Sequence, residues 1–558
     1  MITKVQRLSE IANQFEIIAE INLDTWFDHP IYHKRSWMIQ TIESVYHTEF
    51  KNNQRIVFTL SKSLSQVIEE LQSILNLVDI SNFFVIVLTK DIDYIEIAKQ
   101  KISKISSDAT TITFVTYEDD SPVTIPYQYN SLDPTKISLK DLSQHHQSLL
   151  TTSKTFCMYP WVHLHAYPTG EAWPCCQAEM SAGPIGNLKQ NTIKEVWNSP
   201  RMKQLRTNMI NGVQDPACVR CYEQEDSGFF SGRRSANKHH GHHISRVDKT
   251  YEDGHYDDFQ MTYWDIRFSN LCNLSCRSCG HIFSSSWYQD QAKLAGKDWA
   301  KKNRPLNIAG RSATDMWEQL LPHMDYVEQI YFAGGEPLMM DEHYRILEEL
   351  ERRGRFDVRL IYNTNFTQVQ LKDRVVFDLW RRFDSVAVGA SLDAMGPRAE
   401  YIRRGTDWDA VRRNREQMLE ICPRVDFYIS PTLSIMNAWH LPDFHRAWVD
   451  LGLIRPQDLN VNILQDPAHL RIDIAPMKYK QRLRVKFEEH LEWLRPQDPL
   501  NRATVGFESA VNFMMATDNT QLIPRFWHKT RELDVIRGEN CLDALPELEA
   551  LEHDHTAR

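Results

Sequence analysis

Eight of the ten cysteines fall into two groups, and any fold of this chain has to gather each group around a common point. Cys157, Cys175, Cys176, Cys218 and Cys221 make the first group, and Cys272, Cys276 and Cys279 the second. The chain has 558 residues and opens on Met1-Ile2-Thr3-Lys4, without an apolar leader. Thiols in such a chain are expected in the cytoplasm, as metal or cluster ligands rather than as disulfides. Hydrophobic residues at 42% and charged residues at 25% supply a large core that needs no staples. A net charge of −10 speaks against a general nucleic-acid binder. No apolar run approaches the ~20 residues of a membrane helix, so no membrane partner is expected.

The second group has the spacing C-x3-C-x2-C and follows a strand-like run, Trp264-Asp-Ile-Arg-Phe. Three thiolates this close can share one inorganic centre. A [4Fe–4S] cluster that only moves electrons takes four protein ligands, so three leave one iron open. Zinc is the alternative on spacing alone, with His281 as the fourth ligand. Downstream, Tyr331-Phe-Ala-Gly334-Gly335-Glu336-Pro337 ends another apolar run and enters a helical one. Two glycines let backbone come close to a ligand, and Glu336 can accept a hydrogen bond from an ammonium group. Further apolar runs at 358–362, 385–390, 426–430 and 459–463 each end in polar residues, at the strand ends where α/β sheets bind ligands.

This set of elements resembles the radical S-adenosylmethionine (SAM) enzymes. The resemblance implies an α/β fold with a partial (βα)6 barrel over 261–475, and a [4Fe–4S] cluster held by Cys272, Cys276 and Cys279 whose open iron chelates SAM. It implies that Gly334, Gly335, Glu336 and Pro337 hold the SAM amino group. Ser391 and Asp393 lie where the family contacts ribose or methionyl groups, and Arg404 resembles an arginine that pairs with the SAM carboxylate; a solvated helix charge is its plainer reading. One departure is Ser278, where the family often has an aromatic residue before the third cysteine.

The first group reads as C-x17-C-x42-C-x2-C through Cys157, Cys175, Cys218 and Cys221, with Cys176 competing for the second position. It resembles the twitch form of the SPASM auxiliary-cluster domain, which implies a fully ligated second [4Fe–4S] cluster. A four-cysteine zinc site is the alternative. Its place ahead of the barrel is the reverse of the usual order.

The remaining chain is expected as a small α/β domain at 1–125, a linker at 126–155, the auxiliary module at 156–228, a linker at 229–260 and a helical region at 476–558. In the first domain, strands at 55–60, 83–88 and 111–116 alternate with helices at 63–77 and 92–105. Cys422 and Cys541 read as structural, and His239, His240, His242 and His243 as a solvated loop with a minor prospect of metal binding. The expected reaction is reductive cleavage of SAM to a 5′-deoxyadenosyl radical, which takes hydrogen from a peptide or protein, with a carbohydrate-like small molecule as the second choice. A flavodoxin or ferredoxin would supply the electron. The other readings are a zinc-stabilised interaction protein and an RNA-modifying enzyme, the latter lacking a basic tail or an RNA module.

Overall fold

The computed structural model describes residues 16–18, 54–59, 83–89, 111–116, 137, 139–226, 230–312, 314–499 and 501–551. The chain divides into two units, Met1–Gln128 and Tyr129–Arg558. In the first, β1 (Glu16–Ile18), β2 (Gln54–Thr59), β3 (Phe83–Thr89) and β4 (Thr111–Thr116) form one sheet in that order. β2, β3 and β4 run parallel, as the alternating pattern predicts, and β1 adds an antiparallel edge that the sequence did not announce. The helices expected at 63–77 and 92–105 lie outside the described residues.

The second unit is built on eight strands: β5 (His163–Ala166), β6 (Glu171–Trp173), β7 (Gly186–Asn187), β8 (Tyr263–Ile266), β9 (Gln329–Phe332), β10 (Arg359–Thr364), β11 (Val386–Ala390) and β12 (Asp426–Ile429). Their order is β12-β11-β10-β9-β8-β5-β6-β7. From β5 through β12 the neighbours are parallel, and β6 and β7 form an antiparallel meander at the edge. Every residue of β11, Val-Ala-Val-Gly-Ala, is buried, which fits a parallel sheet covered on both faces. The expected strand at 459–463 touches the sheet through the parallel bridge Ile429–Leu459, and Asn462–Ile463 pairs in parallel with Thr432–Leu433. Amphipathic helices cover the sheet. One of them, α4 (Asp341–Arg352), buries Tyr344, Leu347 and Leu350 along one face.

Two stretches expected as linkers are packed structure. In 126–155, Gln144–Gln147 and Ser148–Thr152 are helical, and Leu149 and Leu150 are buried. In 229–260, α3 (Gly232–His240) runs into a 3-10 helix, Gly241–Lys249. The second of these segments buries polar groups that serve neighbouring backbone. Arg233 donates to the carbonyls of Ser153 and Phe156 and pairs with Glu225, while Asn237 accepts from the Met158 amide and donates to the Phe156 carbonyl. A reading that looks for apolar periodicity misses helices whose buried face is polar.

The C-terminal region is helical, with α6 (Met477–Leu494), α7 (Thr504–Ala516) and α8 (Ile523–Arg537). α8 reaches back to the cysteine loop. Arg537 donates to Asp290 at 2.9 Å and to the Ser275 carbonyl at 2.8 Å, and Arg277 pairs with Asp534 and Glu539. α8 and Glu539 just beyond it therefore fix the loop that carries Cys272, Cys276 and Cys279.

Candidate cluster and cofactor site

The loop after β8 carries the three cysteines and is held from several sides. Ser275–Cys276 pairs antiparallel with Arg403–Arg404. The Cys272 amide donates to Ser285 Oγ at 3.2 Å, and Trp287 donates its indole N–H to the Cys276 carbonyl at 2.8 Å. Donors also face the sulfurs: the Leu274 amide lies 3.4 Å and Asn365 Nδ2 3.8 Å from Cys272 Sγ, and Arg403 Nη1 lies 3.7 Å from Cys276 Sγ. Burial pushes the free thiols of Cys272 and Cys279 up to about 12. A bound cation reverses that preference, so these thiols suit ligation rather than exposed thiolate chemistry.

The spacing of the ligand atoms tests the two kinds of centre. A tetrahedral zinc site with Zn–S of about 2.3 Å holds its sulfurs about 3.8 Å apart. Among the described residues, the trio of thiol, imidazole or carboxylate ligand atoms found within 4.8 Å of one another is His242, His243 and Glu328, and neither cysteine group is drawn together so tightly. His281, the fourth zinc ligand considered above, instead packs edge-on against Trp299 with ring centroids 4.7 Å apart.

The Gly-Gly-Glu-Pro element sits directly on this loop. Gly334 has φ +125°, and a Cβ at Gly335 would run into the Leu271 carbonyl oxygen. The Gly335 and Glu336 amides donate to the carbonyls of Ser269 and Leu271 at 3.1 and 2.6 Å. The fully buried Glu336 carboxylate accepts from the Leu338 amide at 3.1 Å, Thr364 Oγ1 at 2.6 Å and the Asn365 amide at 2.7 Å. Burial, opposed by these bonds, lifts its pKa to about 7. Three bonds leave one of roughly four lone-pair positions open to an incoming donor such as an ammonium. Asn365 closes the circuit, donating to Asn273 Oδ1 at 2.9 Å as well as facing Cys272 Sγ.

At the end of β11, Asp393 accepts from Arg403 Nε at 2.7 Å and Nη2 at 3.0 Å, and from the Thr432 amide at 2.8 Å. Ser391 is tied by its amide to the Thr364 carbonyl at 2.7 Å. Arg404 is not brought into this group: its side chain is 42% exposed and lies 3.4 Å from Glu539. The arginine beside the cluster loop is Arg403. Thr364, Asn365 and Arg403 are the members that sequence reasoning left without a role. The Asn363-Thr364-Asn365 run at a strand end was the available signal for the first two.

The other cysteine group lies in residues 157–221. Cys157 precedes the short helix Tyr159–Val162, Cys175 follows β6, and Cys218 and Cys221 flank the junction of the 3-10 turn Pro216–Cys218 with α2 (Val219–Asp226). The Cys175 thiol feels Cys176, Cys218, Cys157 and Cys221, while the Cys176 thiol feels Asp265 and Arg267 more strongly than Cys221. Cys176 is exposed and Cys175 half-buried. The Asp215 carboxylate, paired with Arg201 of α1 (Pro200–Ile210), caps the 3-10 turn through the Ala217 amide at 2.9 Å.

Parallel pairing of β5 with β8 sets the strand between Cys157 and Cys175 beside the strand that leads into the Cys272 loop. Across that pair His165 Nδ1 lies 2.9 Å from Asp265 Oδ2, both side chains fully buried, and Arg267 donates to Asp265 Oδ1 at 2.7 Å. The Arg267 guanidinium in turn lies over the Tyr331 ring of β9, 4.9 Å from its centroid. Cys422 and Cys541 are both buried, Cys422 as the C-cap of the helix Trp408–Ile421 and Cys541 with its amide donating at 2.9 Å to Asp534, the partner of Arg277.

Residues 157–222 match the family model of the SPASM iron–sulfur cluster-binding domain, starting on Cys157 and ending one residue past Cys221. The chain therefore carries a SPASM-type iron–sulfur domain where the cysteine spacing placed an auxiliary cluster. No curated protein matches the chain significantly. Solved structures similar to it include native anSMEcpe with bound AdoMet and Cp18Cys peptide, at 17% identity and a TM-score of 0.27, covering 42% of this chain and 60% of that one. Polyhistidine-tagged anSMEcpe with bound AdoMet gives the same figures, and native anSMEcpe with bound AdoMet and Kp18Cys peptide a TM-score of 0.26 at 17% identity. No helix among the described residues is long and apolar enough to cross a membrane.

Proposed function

We propose that this chain is a radical SAM enzyme with an auxiliary iron–sulfur cluster, acting on a peptide or protein. The observation that carries the reading is the circuit Glu336–Asn365–Cys272, in which the Gly-Gly-Glu-Pro element, the end of β10 and the cysteine loop are fastened together at one end of a parallel sheet. Cys272, Cys276 and Cys279 would hold a [4Fe–4S] cluster and leave one iron for SAM. Cys157, Cys175, Cys218 and Cys221 would hold the second cluster. When loaded, the first cluster supplies the electron that splits SAM into methionine and a 5′-deoxyadenosyl radical, which removes hydrogen from the substrate.

The chain's own residues prepare that event. Glu336 keeps a lone pair for the SAM ammonium and is itself held by Thr364 and the Asn365 amide. Gly334 and Gly335 bring backbone against the cysteine loop without side chains between. Arg403 neutralises Asp393 and faces the Cys276 sulfur, which lowers the cost of negative charge on a buried thiolate. The SPASM resemblance allows a peptide or protein and also a small alcohol or sugar, and the peptide is taken as the first substrate class to test. A ferredoxin or flavodoxin is the proposed reductant.

The test is anaerobic incubation of the cluster-loaded chain with SAM and dithionite, with 5′-deoxyadenosine measured by mass spectrometry. The expected result is product in the wild type and none in Cys272→Ala. Equal product in the two proteins would falsify the assignment. Candidate peptides and sugars are then added in parallel, and the one that stimulates SAM cleavage and changes in mass names the substrate class.

A further inference from the structure

The histidines expected as a solvated loop are folded against the sheet. His242 and His243 sit on the 3-10 helix Gly241–Lys249, with ring centroids 4.0 Å apart. Each imidazole Nε2 lies 2.8 Å from a different oxygen of Glu328. Glu328 immediately precedes β9, its amide bonded to the Thr262 carbonyl at 2.8 Å and its carbonyl accepting the Arg359 amide at 2.9 Å. The carboxylate is thus fixed at the N-terminal ends of β8, β9 and β10, away from the cysteine loop that follows β8.

All three ligand atoms lie within 4.8 Å of one another, and the three residues line a cavity of about 780 Å³. Side-chain exposures of 14%, 16% and 27% leave them accessible from it. His240 lines the same cavity, 3% exposed, with its Nδ1 lacking a hydrogen-bond partner and its ring 6.5 Å from that of His242. Two arginines lining the cavity are already engaged: Arg355 with Asp357 and three backbone carbonyls, and Arg246 with the carbonyls of Trp161 and Gln260. The imidazoles are not so committed to backbone.

We propose that His242, His243 and Glu328 bind one divalent transition-metal ion of the zinc type, with the remaining coordination position turned toward the cavity. Two imidazoles and a carboxylate are a ligand set of catalytic zinc sites, where three protein ligands leave room for water or substrate. The site is separate from both cysteine groups, so the inference stands whether or not the radical SAM reading does.

The test uses the full chain with its cysteine sites loaded with iron and sulfide, washed with chelator and then titrated with Zn2+ or Co2+. The expected result is one Zn2+ retained per chain after desalting, and a Co2+ d–d spectrum without sulfur-to-cobalt charge-transfer bands. The double variant His242→Ala/His243→Ala and, separately, Glu328→Gln should lose at least about tenfold in affinity with iron content and circular dichroism unchanged. His243→Gln serves if either variant loses iron or fold. Wild-type protein that retains no ion, or variants that bind as tightly as wild type, would overturn the site and leave His242–Glu328–His243 a hydrogen-bonded clamp.

Discussion

Arg403 and Arg404 are adjacent in sequence and opposite in circumstance. Arg403 is 12% exposed and gives both its Nε and Nη2 to an Asp393 that is 2% exposed, whereas Arg404 is 42% exposed and lies 3.4 Å from its acid. Removing one partner of a buried pair strands the other's charge, at about 3 kcal/mol, while an exposed pair is worth under about 1 kcal/mol. Arg403→Gln is therefore expected to lower the denaturation midpoint strongly and to lose the iron held by Cys272, Cys276 and Cys279, with Arg404→Gln close to wild type in both. Comparable losses from the two variants would contradict this assignment. Gly335→Ala tests the same contact from the other side. A methyl group against the Leu271 carbonyl has to displace the cysteine loop, so iron analysis should fall to about half, the auxiliary share surviving. Asp393 and Glu336 were visible through the resemblance of the Gly-Gly-Glu-Pro and Ser-Leu-Asp runs to those of the radical SAM enzymes. The sequence could not choose between two consecutive arginines, because consecutive residues in a strand point to opposite faces and only the pairing of Arg403 with Cys276 sets which is inward.

At the level of elements, α5 (Leu441–Asp450) and α6 are joined by a chain of hydrogen bonds with one consistent direction. Arg446 Nε donates to His490 Nδ1 at 3.3 Å, His490 Nε2 then donates to His445 Nδ1 at 3.0 Å, and His445 Nε2 to the Pro456 carbonyl at 2.9 Å. Both rings are buried and must be neutral, since a proton on either one sets two donors face to face. Burial lowers His445 from 6.5 to about 4, and His490 further, with His445 and Arg446 adding to it. A histidine whose folded pKa is depressed contributes stability above its unfolded pKa and loses it as pH falls toward the folded one. The loss begins below 6.5 and reaches about 2 kcal/mol per ring near about pH 5. Urea midpoints measured from about pH 8 down to pH 5 should fall in the wild type and fall less steeply in His490→Gln; parallel curves would remove the pair from the acid response. β11 was legible because a strand buried on both faces is written as an apolar run, whereas β9, β10 and β12 alternate. The helix at 232–249 was not legible, because Arg233, Asn237 and Arg246 are buried by bonding to backbone carbonyls, and that signal has no period.

For the molecule as a whole, the SPASM-type domain is part of the same sheet as the strands that carry the proposed SAM site. β5 hydrogen-bonds along its length to β8, and His165 and Asp265 meet across that pair with no exposed surface. The sequence located both cysteine groups but assigned them to modules joined by a linker, since the pairing of two strands about a hundred residues apart leaves no local mark. Continuity of the sheet has a consequence for cluster loading. Cys175 lies among Cys157, Cys218 and Cys221, while the exposed Cys176 feels Asp265 and Arg267 more strongly than it feels Cys221. Cys175→Ser should lose about four of about eight irons and Cys176→Ser none. Because β5 follows directly on the loop and helix that begin at Cys157, loss of the auxiliary cluster loosens the strand that supports β8, and the remaining cluster should be shed faster on warming. The visible absorbance that survives in Cys175→Ser is therefore expected to bleach at a lower temperature than the same absorbance in wild type, together with the tryptophan fluorescence change rather than apart from it. An unshifted bleaching temperature would mean that the two cysteine groups are loaded and held independently, in spite of the shared sheet.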